Sequence, residues 1–418
     1  MKSSKNNIVL KILAIIAVAV VLFFGITAVI TKVGVNKNLE NIKSFEKVEI
    51  ENQLVPYKDE NGYWTFTTDE NFKVVQLTDV HIGAGFMSHG KDLKALNAVA
   101  AMVTAEKPDL VVVTGDIAYP IPPQAGTDDN LASATMFASL MEQLGVYWTV
   151  TFGNHDTERY SDYNRAEIAD FYENGGFKYC LFKSGPEDVD GYGNNIINIK
   201  NSKGEITQSI FTFDSHAYLR HDILGFGHGY ENIRESQVEW YRENIEKLTE
   251  YNKSVSNMEN PVPKSTAFFH IPLKEYQDAW YEYLNNGFKD TENAKLIEGV
   301  AGEGGIIVFP GEGEDTLFET MVELGSTKGI FCGHDHENNF CVEYKGIRLT
   351  YGMSVDYLAY IGISRRGAQR GCTVITYSPD GSFTSKNENY YQDKYVSTFE
   401  KEVVNMEELT QLAELPEE

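Results

Sequence analysis

The chain is short of basic residues: 36 Lys and Arg stand against 61 Asp and Glu, which gives a formal net charge of −25. Proteins that bind nucleic acid neutralise phosphates with clusters of Lys and Arg, so this balance argues against a nucleic-acid partner. An acidic surface also disfavours binding along an anionic lipid surface. The acidity itself is typical of a soluble globular domain.

Cysteine is also scarce, with four in 418 residues. Cys180, Cys332, Cys341 and Cys372 are too few for a disulfide scaffold, and none forms the C-x-x-C pair of a metal site. Cys332 and Cys341 would face each other if the segments on either side of residues 333–340 paired as strands, and an oxidising compartment would permit a bridge there. We expect instead that these thiols are free and buried.

Charge is absent from one long stretch, residues 12–31. Twenty residues at about 1.5 Å each give roughly 30 Å, enough to cross a hydrocarbon core. This length favours an uncleaved signal anchor; a cleaved signal peptide is the alternative, with Thr27-Ala28 as a weak cleavage site. We predict a single-pass protein of the cell membrane, with a basic segment at 1–11 and its folded part on the extracytoplasmic side.

The rest of the chain divides into a polar juxtamembrane stalk at 32–60, a large domain at 61–390 and an acidic tail at 391–418. Strand-like and helix-like segments alternate within the domain, which is typical of an α/β fold. Segments rich in Gly at 188–195 and 298–315 are predicted to be surface loops. Apolar residues at helical spacing predict helices at 93–105, 131–144, 163–174, 236–248 and 317–324.

Five short segments hold five of the nine histidines, and each follows an apolar, strand-like run. They are Asp79-Val-His81 after 72–77, Gly115-Asp116 after 110–114, Gly153-Asn154-His155-Asp156 after 146–152, His270 after 266–269, and Gly333-His334-Asp335-His336 after 329–332. In an open α/β sheet the carboxyl ends of the strands face one crevice, so residues distant in sequence converge there. Carboxylate, amide and imidazole groups are ligands for divalent metal ions.

A pair of ions about 3.5–4 Å apart needs a shared carboxylate and two or three further protein donors for each ion. Asp116 is the natural bridge, because it ends a buried strand and follows Gly115, which lets the backbone approach the ions. Asp79 and His81 are two residues apart and share one face of an extended strand end, so both can bind one ion.

His334 and His336 have the same spacing as Asp79 and His81, and the spacing alone allows them to bind one ion or two different ions. Asn154 offers a neutral carbonyl oxygen, and His270 offers an imidazole nitrogen. Asp335 is expected to point away from the ions, as strand alternation would place it.

In this order, the five segments resemble the signature of the calcineurin-like metallophosphoesterases, over about residues 72–377. The resemblance implies an α/β fold, a four-layer sandwich of two mixed β-sheets flanked by helices, here with an N-terminal transmembrane helix. It also implies two divalent metal ions (Mn, Fe or Zn). The implied ligands of the first ion are Asp79, His81, Asp116 and His336, and those of the second are Asp116, Asn154, His270 and His334. His155 is implied to contact the phosphoryl oxygens or the leaving group.

A narrower likeness, in residues 83–90, 270–273, 332–336 and 366–371, is to the purple-acid-phosphatase-like branch, and it favours phosphomonoesters over diesters. True purple acid phosphatases carry Asp-x-Gly in the first block and a Tyr three residues after the second-block Asp. Here His81 stands in place of that Gly, and Tyr119 is present. We predict that His81 is the ligand and that Tyr119 supports the site or packs in the core. The protein-phosphatase branch has an Asp at the Tyr119 position, so that function is disfavoured.

The resemblance therefore implies a membrane-anchored, exported, metal-dependent phosphohydrolase that acts on a phosphorylated substrate. A hydroxide held between the two ions would attack phosphorus in line, and His155 would donate a proton to the leaving oxygen. The alternatives are a phosphodiesterase or pyrophosphate hydrolase with the same site, and a catalytically silent membrane-anchored binding protein. The sequence does not indicate an oligomeric state.

Overall fold

The computed structural model describes residues 2–256, 259–303, 307–360, 363 and 370–402. The predicted tail from residue 403 onwards, and residues 366–369 of the run at 366–371, lie outside the described residues. The helices are α1 (Lys2–Ile42), α2 (His89–Glu106), α3 (Pro122–Ala125), α4 (Asn130–Leu144), α5 (Arg165–Asn174), α6 (Glu235–Val255), α7 (Lys274–Asn285) and α8 (Leu317–Leu324). The strands are β1 (Tyr57–Lys58), β2 (Trp64–Thr67), β3 (Phe72–Leu77), β4 (Leu110–Thr114), β5 (Trp148–Thr151), β6 (Asn195–Lys200), β7 (Ile206–Thr212), β8 (Tyr218–His221), β9 (Gly227–Tyr230), β10 (Lys264–Phe268), β11 (Ala294–Glu298), β12 (Thr327–Cys332), β13 (Cys341–Tyr344), β14 (Ile347–Tyr351), β15 (Gly371–Tyr377) and β16 (Phe383–Asn389).

Two mixed sheets form the centre of the molecule. One has the strand order β16-β15-β3-β4-β5, and its β3, β4 and β5 run parallel. The other has the order β1-β2-β6-β7-β10-β12-β14-β13-β11, and its β7, β10, β12 and β14 run parallel. A separate hairpin is formed by β8 and β9. Strands buried on both faces, such as β4, are apolar at nearly every position.

The two sheets pack face to face, and helices cover their outer faces. One apolar core joins Val75 and Val112 of the five-stranded sheet to Phe268 and Phe331 of the nine-stranded sheet, and it also contains side chains of α2, α4 and α5. A second core lies between the nine-stranded sheet and helices α6, α7 and α8. This arrangement of four layers confirms the predicted fold class.

All five predicted helices are present, with α2 beginning four residues earlier than expected and α6 ending seven residues later. Helix α7 was not predicted. All four cysteines lie in the described part of the chain and are free, and three of them are buried. Strand β14 lies between β12 and β13, so Cys332 and Cys341 do not pair across adjacent strands.

Helix α1 is longer than the predicted span at 12–31, because it continues to Ile42. Its residues Ile8–Ile42 contain a stretch long and apolar enough to cross a membrane, with a mean hydropathy of 3.0 and none of that stretch buried. Length and composition do not by themselves distinguish a membrane span from a signal sequence.

The end of α1 packs on the domain instead of leading into an extended stalk. Leu39 and Ile42 join the apolar core. Asn38 Nδ2 donates a hydrogen bond to the carbonyl oxygen of His89, over 3.2 Å. Gly34 lies against the His89 ring, where a Cβ would come within 2.0 Å of Nε2. The helix is therefore held in a fixed direction relative to the start of α2.

The first residues of the predicted tail are also packed. Tyr395 is buried, and its hydroxyl donates to Glu106 Oε1 at the end of α2, over 2.7 Å. Arg370 forms an ion pair with Glu402 over 2.7 Å. Residues 391–402 therefore belong to the folded unit.

Candidate metal centre

The residues predicted to bind metal follow the carboxyl ends of strands in both sheets. In the five-stranded sheet β3, β4 and β5 lead to Asp79 and His81, to Asp116 and to Asn154; in the nine-stranded sheet β10 and β12 lead to His270, and to His334 and His336. Four of these residues have a left-handed backbone, with φ of 49° at Asp79, 52° at His81, 54° at Asp116 and 79° at His334. This conformation is rare for residues other than Gly and clusters at functional sites.

Glycines allow the turns to approach one another. A Cβ at Gly153 would lie 2.0 Å from Oδ1 of Asp116, and a Cβ at Gly115 would lie 2.7 Å from Nδ1 of His270. Both distances are shorter than any van der Waals contact, so a larger residue would displace the side chain it meets. The glycines of these segments are therefore needed for the geometry of the centre.

The first group of donors consists of buried side chains whose ligand atoms all lie within 4.8 Å of one another: Asp79, His81, Asp116 and His336. His81 Nε2 is 3.3 Å from Asp116 Oδ2, and His336 Nε2 is 3.4 Å from Asp79 Oδ1. Asp79 Oδ1 is buried and accepts no hydrogen bond among the described residues, and the His336 ring is its neighbour. Because a buried carboxylate oxygen without a hydrogen bond is unfavourable, a cation bound here would satisfy it.

The second group meets at Asn154 Oδ1. This oxygen is 3.1 Å from His270 Nε2 and 3.0 Å from His334 Nδ1. His270 Nε2 is also 3.2 Å from Asp116 Oδ2, the same oxygen that His81 approaches. Asp116 Oδ2 therefore lies between the two groups, which is the position of a bridging ligand. The nitrogen and oxygen donors fit a dinuclear centre of divalent ions.

Asp356, which the sequence analysis did not single out, holds the imidazoles of the first group. Its carboxylate oxygens lie 3.2 Å from His81 Nδ1 and 3.4 Å from His336 Nδ1. Three consecutive backbone N–H groups, at residues 358–360, donate to the Asp356 carboxylate. A carboxylate behind an imidazole fixes the ring and its tautomer, so that the other nitrogen faces the metal. In the second group a backbone carbonyl does this, because His270 Nδ1 donates to Thr114 over 2.8 Å.

Neighbouring charges affect the pKa values of His81 and His270 more than burial does, although burial by itself favours the neutral form of every group. Burial lowers the pKa of His81, but Asp356 and Asp116 raise it to about 10. Burial likewise lowers the pKa of His270, but Asp116 raises it to about 9. His334 behaves differently: burial and the charge of His270 lower its pKa well below its usual range. Without metal, protons on imidazoles supply the positive charge that the carboxylates require.

His155 is the most exposed of the five histidines in these segments, with 20% of its side chain accessible. Its backbone N–H donates to Asp116 Oδ1 over 2.8 Å, and its Nδ1 lies 2.7 Å from Glu158 Oε1. Tyr218 donates to the same Glu158 oxygen over 3.1 Å and accepts from Asn154 Nδ2 over 2.6 Å. Glu158 is buried, and its Oε2 has no hydrogen-bond partner among the described residues. The partner that orients His155, unidentified from the sequence, is thus Glu158.

The two other acids in the motifs face away from the donors. Asp156 anchors its turn by accepting from backbone N–H groups of Asp116, Ala118 and Gly153. Asp335 accepts from the hydroxyl of Tyr351 over 2.6 Å, and burial raises the pKa of its carboxyl to about 7.

Tyr119 and His216 make contacts outside the donor set. The Tyr119 hydroxyl donates to Gln124 Oε1 over 2.8 Å, while its ring lies 4.7 Å from the His81 ring, between centroids. Burial raises the pKa of the Tyr119 hydroxyl, which opposes a phenolate. His216 Nε2 lies 3.0 Å from Gln237 Oε1.

Comparison with known proteins identifies the family of the chain. The calcineurin-like phosphoesterase family model matches residues 72–338. The chain is 30% identical over 325 residues to a protein of Arabidopsis thaliana named probable inactive purple acid phosphatase 14, covering 72% of this chain and 75% of that protein. It is 30% identical over 293 residues to Phosphatase DCR2 of Saccharomyces cerevisiae, covering 66% of this chain and 46% of that protein. A solved dimetal phosphatase from Danio rerio is similar with 12% identity and a TM-score of 0.45, covering 78% of this chain and 98% of that one. This chain therefore belongs to the calcineurin-like phosphoesterase family, as its match to the family model over residues 72–338 shows.

Proposed function

We propose that this chain is a metal-dependent phosphohydrolase, held at the cell membrane by α1, that cleaves phosphate esters and prefers phosphomonoesters. The observation that carries the proposal is the position of Asp116 Oδ2, 3.3 Å from His81 Nε2 and 3.2 Å from His270 Nε2. One carboxylate oxygen thus serves two sets of donors, as a dinuclear centre requires. Asp79, His81, Asp116 and His336 would hold one ion, and Asp116, Asn154, His270 and His334 would hold the other.

When bound, two divalent ions would supply an activated water and would neutralise the charge of the phosphoryl oxygens. Manganese, iron and zinc all accept nitrogen and oxygen donors of this kind. The protein itself would supply the proton for the leaving oxygen from His155. Because Glu158 occupies Nδ1 of His155, the Nε2 atom is left to carry that proton, and Glu158 acts as a positioning residue.

A catalytically silent protein is the second candidate, since relatives in Arabidopsis thaliana are named probable inactive purple acid phosphatases. Against it stands the chemistry of this chain's own residues. Every ligand position implied by the family holds a competent donor, and Asp79 Oδ1 is buried without a hydrogen bond among the described residues. A site that had lost its ions would be under no such constraint.

The proposed membrane attachment rests on α1. An apolar helix of this length whose membrane-length stretch is not buried is unfavourable in water and suits a bilayer. A signal anchor would place the domain, residues 61–390 together with the segments packed on it, on the extracytoplasmic side. Sequencing the N-terminus of the membrane-bound protein distinguishes the anchor, which retains residues 12–31, from a cleaved signal peptide.

The enzymatic proposal is tested with the full chain in detergent, supplied with Mn²⁺, Zn²⁺ or Fe²⁺. The substrates are p-nitrophenyl phosphate, bis(p-nitrophenyl) phosphate and pyrophosphate, and the metal content is measured on the same samples. We expect metal-dependent hydrolysis that is fastest on the monoester. Faster cleavage of the diester or of pyrophosphate would favour those alternatives. A folded protein that binds two ions and hydrolyses none of the three would contradict the proposal.

A further inference from the structure

Two exposed apolar tips flank the catalytic centre. The loop tip, at residues 83–88, follows the ligand His81 and presents Phe86 and Met87, of which Met87 is 53% exposed. The hairpin tip, between β8 and β9, presents Ile223, which is fully exposed, and Leu224, which is 76% exposed. Single apolar residues on a surface are ordinary, whereas grouped ones mark an interaction surface.

The loop tip is held outward by a rigid base. Asp92, in the first turn of α2, accepts from the backbone N–H of Gly83 over 2.8 Å. Gly85 lies directly on the carbonyl of Ala125, where a Cβ would come within 2.0 Å of the oxygen. The N–H of Met87 donates to that same carbonyl over 3.0 Å. The exposure of Met87 is therefore fixed by the fold.

The loop tip also touches the apolar part of α1. The rings of Phe86 and Phe23 meet edge to face, with centroids 6.3 Å apart. A groove of about 800 Å³ separates α1 from the domain, and Phe23, Phe24 and Met87 are among its lining residues. Phe23 and Phe24 lie within the uncharged run at 12–31. The loop tip therefore adjoins the apolar part of α1.

The hairpin tip is linked to the groove beside α1 through a short segment of the chain. The Phe226 ring, beside the tip, packs on Tyr160 with centroids 6.4 Å apart. Two residues further along the chain, Asp162 lines the groove beside α1 together with Met87. The segment from Tyr160 to Asp162 thus connects the two tips across one surface.

The base of the hairpin reaches the metal ligands. The Tyr230 ring packs edge to face on His334, with centroids 4.2 Å apart. Tyr218 contacts both Asn154 and Glu158. The hairpin therefore extends from the second group of donors to its own apolar tip.

We propose that both tips enter the lipid surface beside α1, so that the catalytic centre faces the bilayer and takes phosphomonoesters of membrane lipids as its substrates. This proposal rests on the proposed phosphohydrolase function and names its substrate class. Water adds to phosphorus, the P–O bond to the lipid breaks, the lipid alcohol stays in the bilayer and inorganic phosphate leaves into water. The groove carries Asp128, Asp129 and Asp162, which disfavour a strongly anionic surface. The fitting surface is zwitterionic lipid with a minority of phosphorylated lipid.

The test uses the full chain in phosphatidylcholine vesicles that contain a minor fraction of phosphatidic acid, with p-nitrophenyl phosphate as the soluble substrate. Met87→Asp should lower phosphate release from phosphatidic acid on the order of tenfold, since moving one large apolar side chain from lipid to water has about that effect. The double variant Ile223→Asp with Leu224→Asp moves two such side chains and should lower it on the order of a hundredfold. Hydrolysis of p-nitrophenyl phosphate should be unchanged, because none of these side chains belongs to the centre.

Val396→Asp is the matched control. Val396 is 83% exposed. It follows Tyr395, which bonds to Glu106 at the end of α2, whereas the loop tip lies at the beginning of that helix. Introducing the same charge there should change neither activity. If the tip variants lowered both activities equally, or lowered neither, the proposal would be overturned.

A second readout is independent of catalysis. Met87→Cys and Val396→Cys, each made with Cys180→Ser and labelled with a fluorophore, are placed in vesicles whose acyl chains carry bromine. We expect quenching at position 87 and none at position 396. Absence of quenching at 87 would overturn the membrane contact even if the enzyme is active. Quenching at 87 in a protein that hydrolyses neither substrate would uphold the membrane contact and overturn the lipid substrate together with the proposed function.

Discussion

Two regions of this chain withdraw carboxylates from solvent, fully at Asp116 and Asp356 and partly at Glu275 and Asp315, with opposite consequences. In the metal centre burial acts to raise the pKa of Asp116 and Asp356, yet the neighbouring imidazoles hold both well below the usual range. Between α7 and the segment before α8, burial and then neighbouring acids raise the pKa of Glu275 to about 7 and that of Asp315 to about 6. Burial is common to both regions, so the difference lies in the positively charged groups nearby. A buried acidic cluster in this chain indicates a cation site only where imidazoles accompany it.

The largest effect should come from removing the shared carboxylate. Asp116→Asn keeps the shape of the side chain but loses its charge and one oxygen, so we expect neither ion to remain bound after dialysis. Elemental analysis measures this. Asp315→Asn changes a partly buried acid of the other region; it is the control and should retain both ions. If the Asp116→Asn variant still contained two ions after dialysis, Asp116 would not be the shared ligand and the two regions would not differ as described.

The second effect concerns proton donation. His155→Ala should keep both ions and lower kcat on the order of 10²–10⁴, as expected when a general acid is lost. Glu158→Gln should have a smaller effect that grows as the leaving group becomes poorer, because a misplaced His155 matters most where the leaving oxygen needs a proton. The measurement is kcat for aryl phosphates with leaving groups of different pKa. An equal loss on all of them would assign Glu158 a structural role alone.

A third prediction sharpens the comparison within the centre. Asp356 contacts two imidazoles of the first group, whereas the second group relies on the carbonyl of Thr114. Asp356→Asn should therefore lower the affinity for the first ion about 10–100-fold, which is the usual effect of losing a residue that orients metal ligands. The affinity for the second ion should be nearly unchanged. Titration of the metal-free protein with Zn²⁺ measures both affinities. Equal weakening of the two ions would contradict the assignment of Asp356 to one group.

The smallest effect concerns the region without imidazoles. Because the pKa of Glu275 is raised to about 7 in the folded protein, the native state keeps a proton that the unfolded state has lost. Stability contributed by this group is therefore present at low pH and is lost as the pH rises from about 4.5 to about 7. Glu275→Gln should raise Tm by roughly 1–3 °C at about pH 8, with less difference at about pH 4.5. The control is Glu239→Gln, which changes an exposed residue of α6. If Glu275→Gln shifted Tm equally at both pH values, the raised pKa of Glu275 would not be the cause.

The residues proposed as ligands could be singled out from the sequence because the segments that hold them follow apolar strand-like runs. Their supports could not. Asp356 lies five residues past the end of β14 and reaches the centre because the N–H of Val355 bonds to Thr78 and that of Asp356 bonds to Asp79, pairings that exist only once the strands have assembled. Glu158 carried a local signal, since an acid three residues after His155 can share its turn.

The fold shows the same limits. Long helices with regular apolar spacing, such as α4 and α8, were located within a residue of their ends. Helix α7 was missed although its buried Tyr276, Ala279 and Trp280 have helical spacing, because bulky aromatic residues also suit strands. The packing of residues 32–48 and 391–402 on the domain depends on contacts such as that of Gly34 with His89, which composition does not reveal.

The most direct test of the dinuclear centre is a crystal structure of the protein grown with Mn²⁺, with anomalous scattering measured at the manganese edge. We expect two peaks about 3.5–4 Å apart, one on each side of Asp116 Oδ2, with His81 and His336 at one peak and His270 and His334 at the other. A single peak, or two peaks that do not share Asp116, would contradict the assignment.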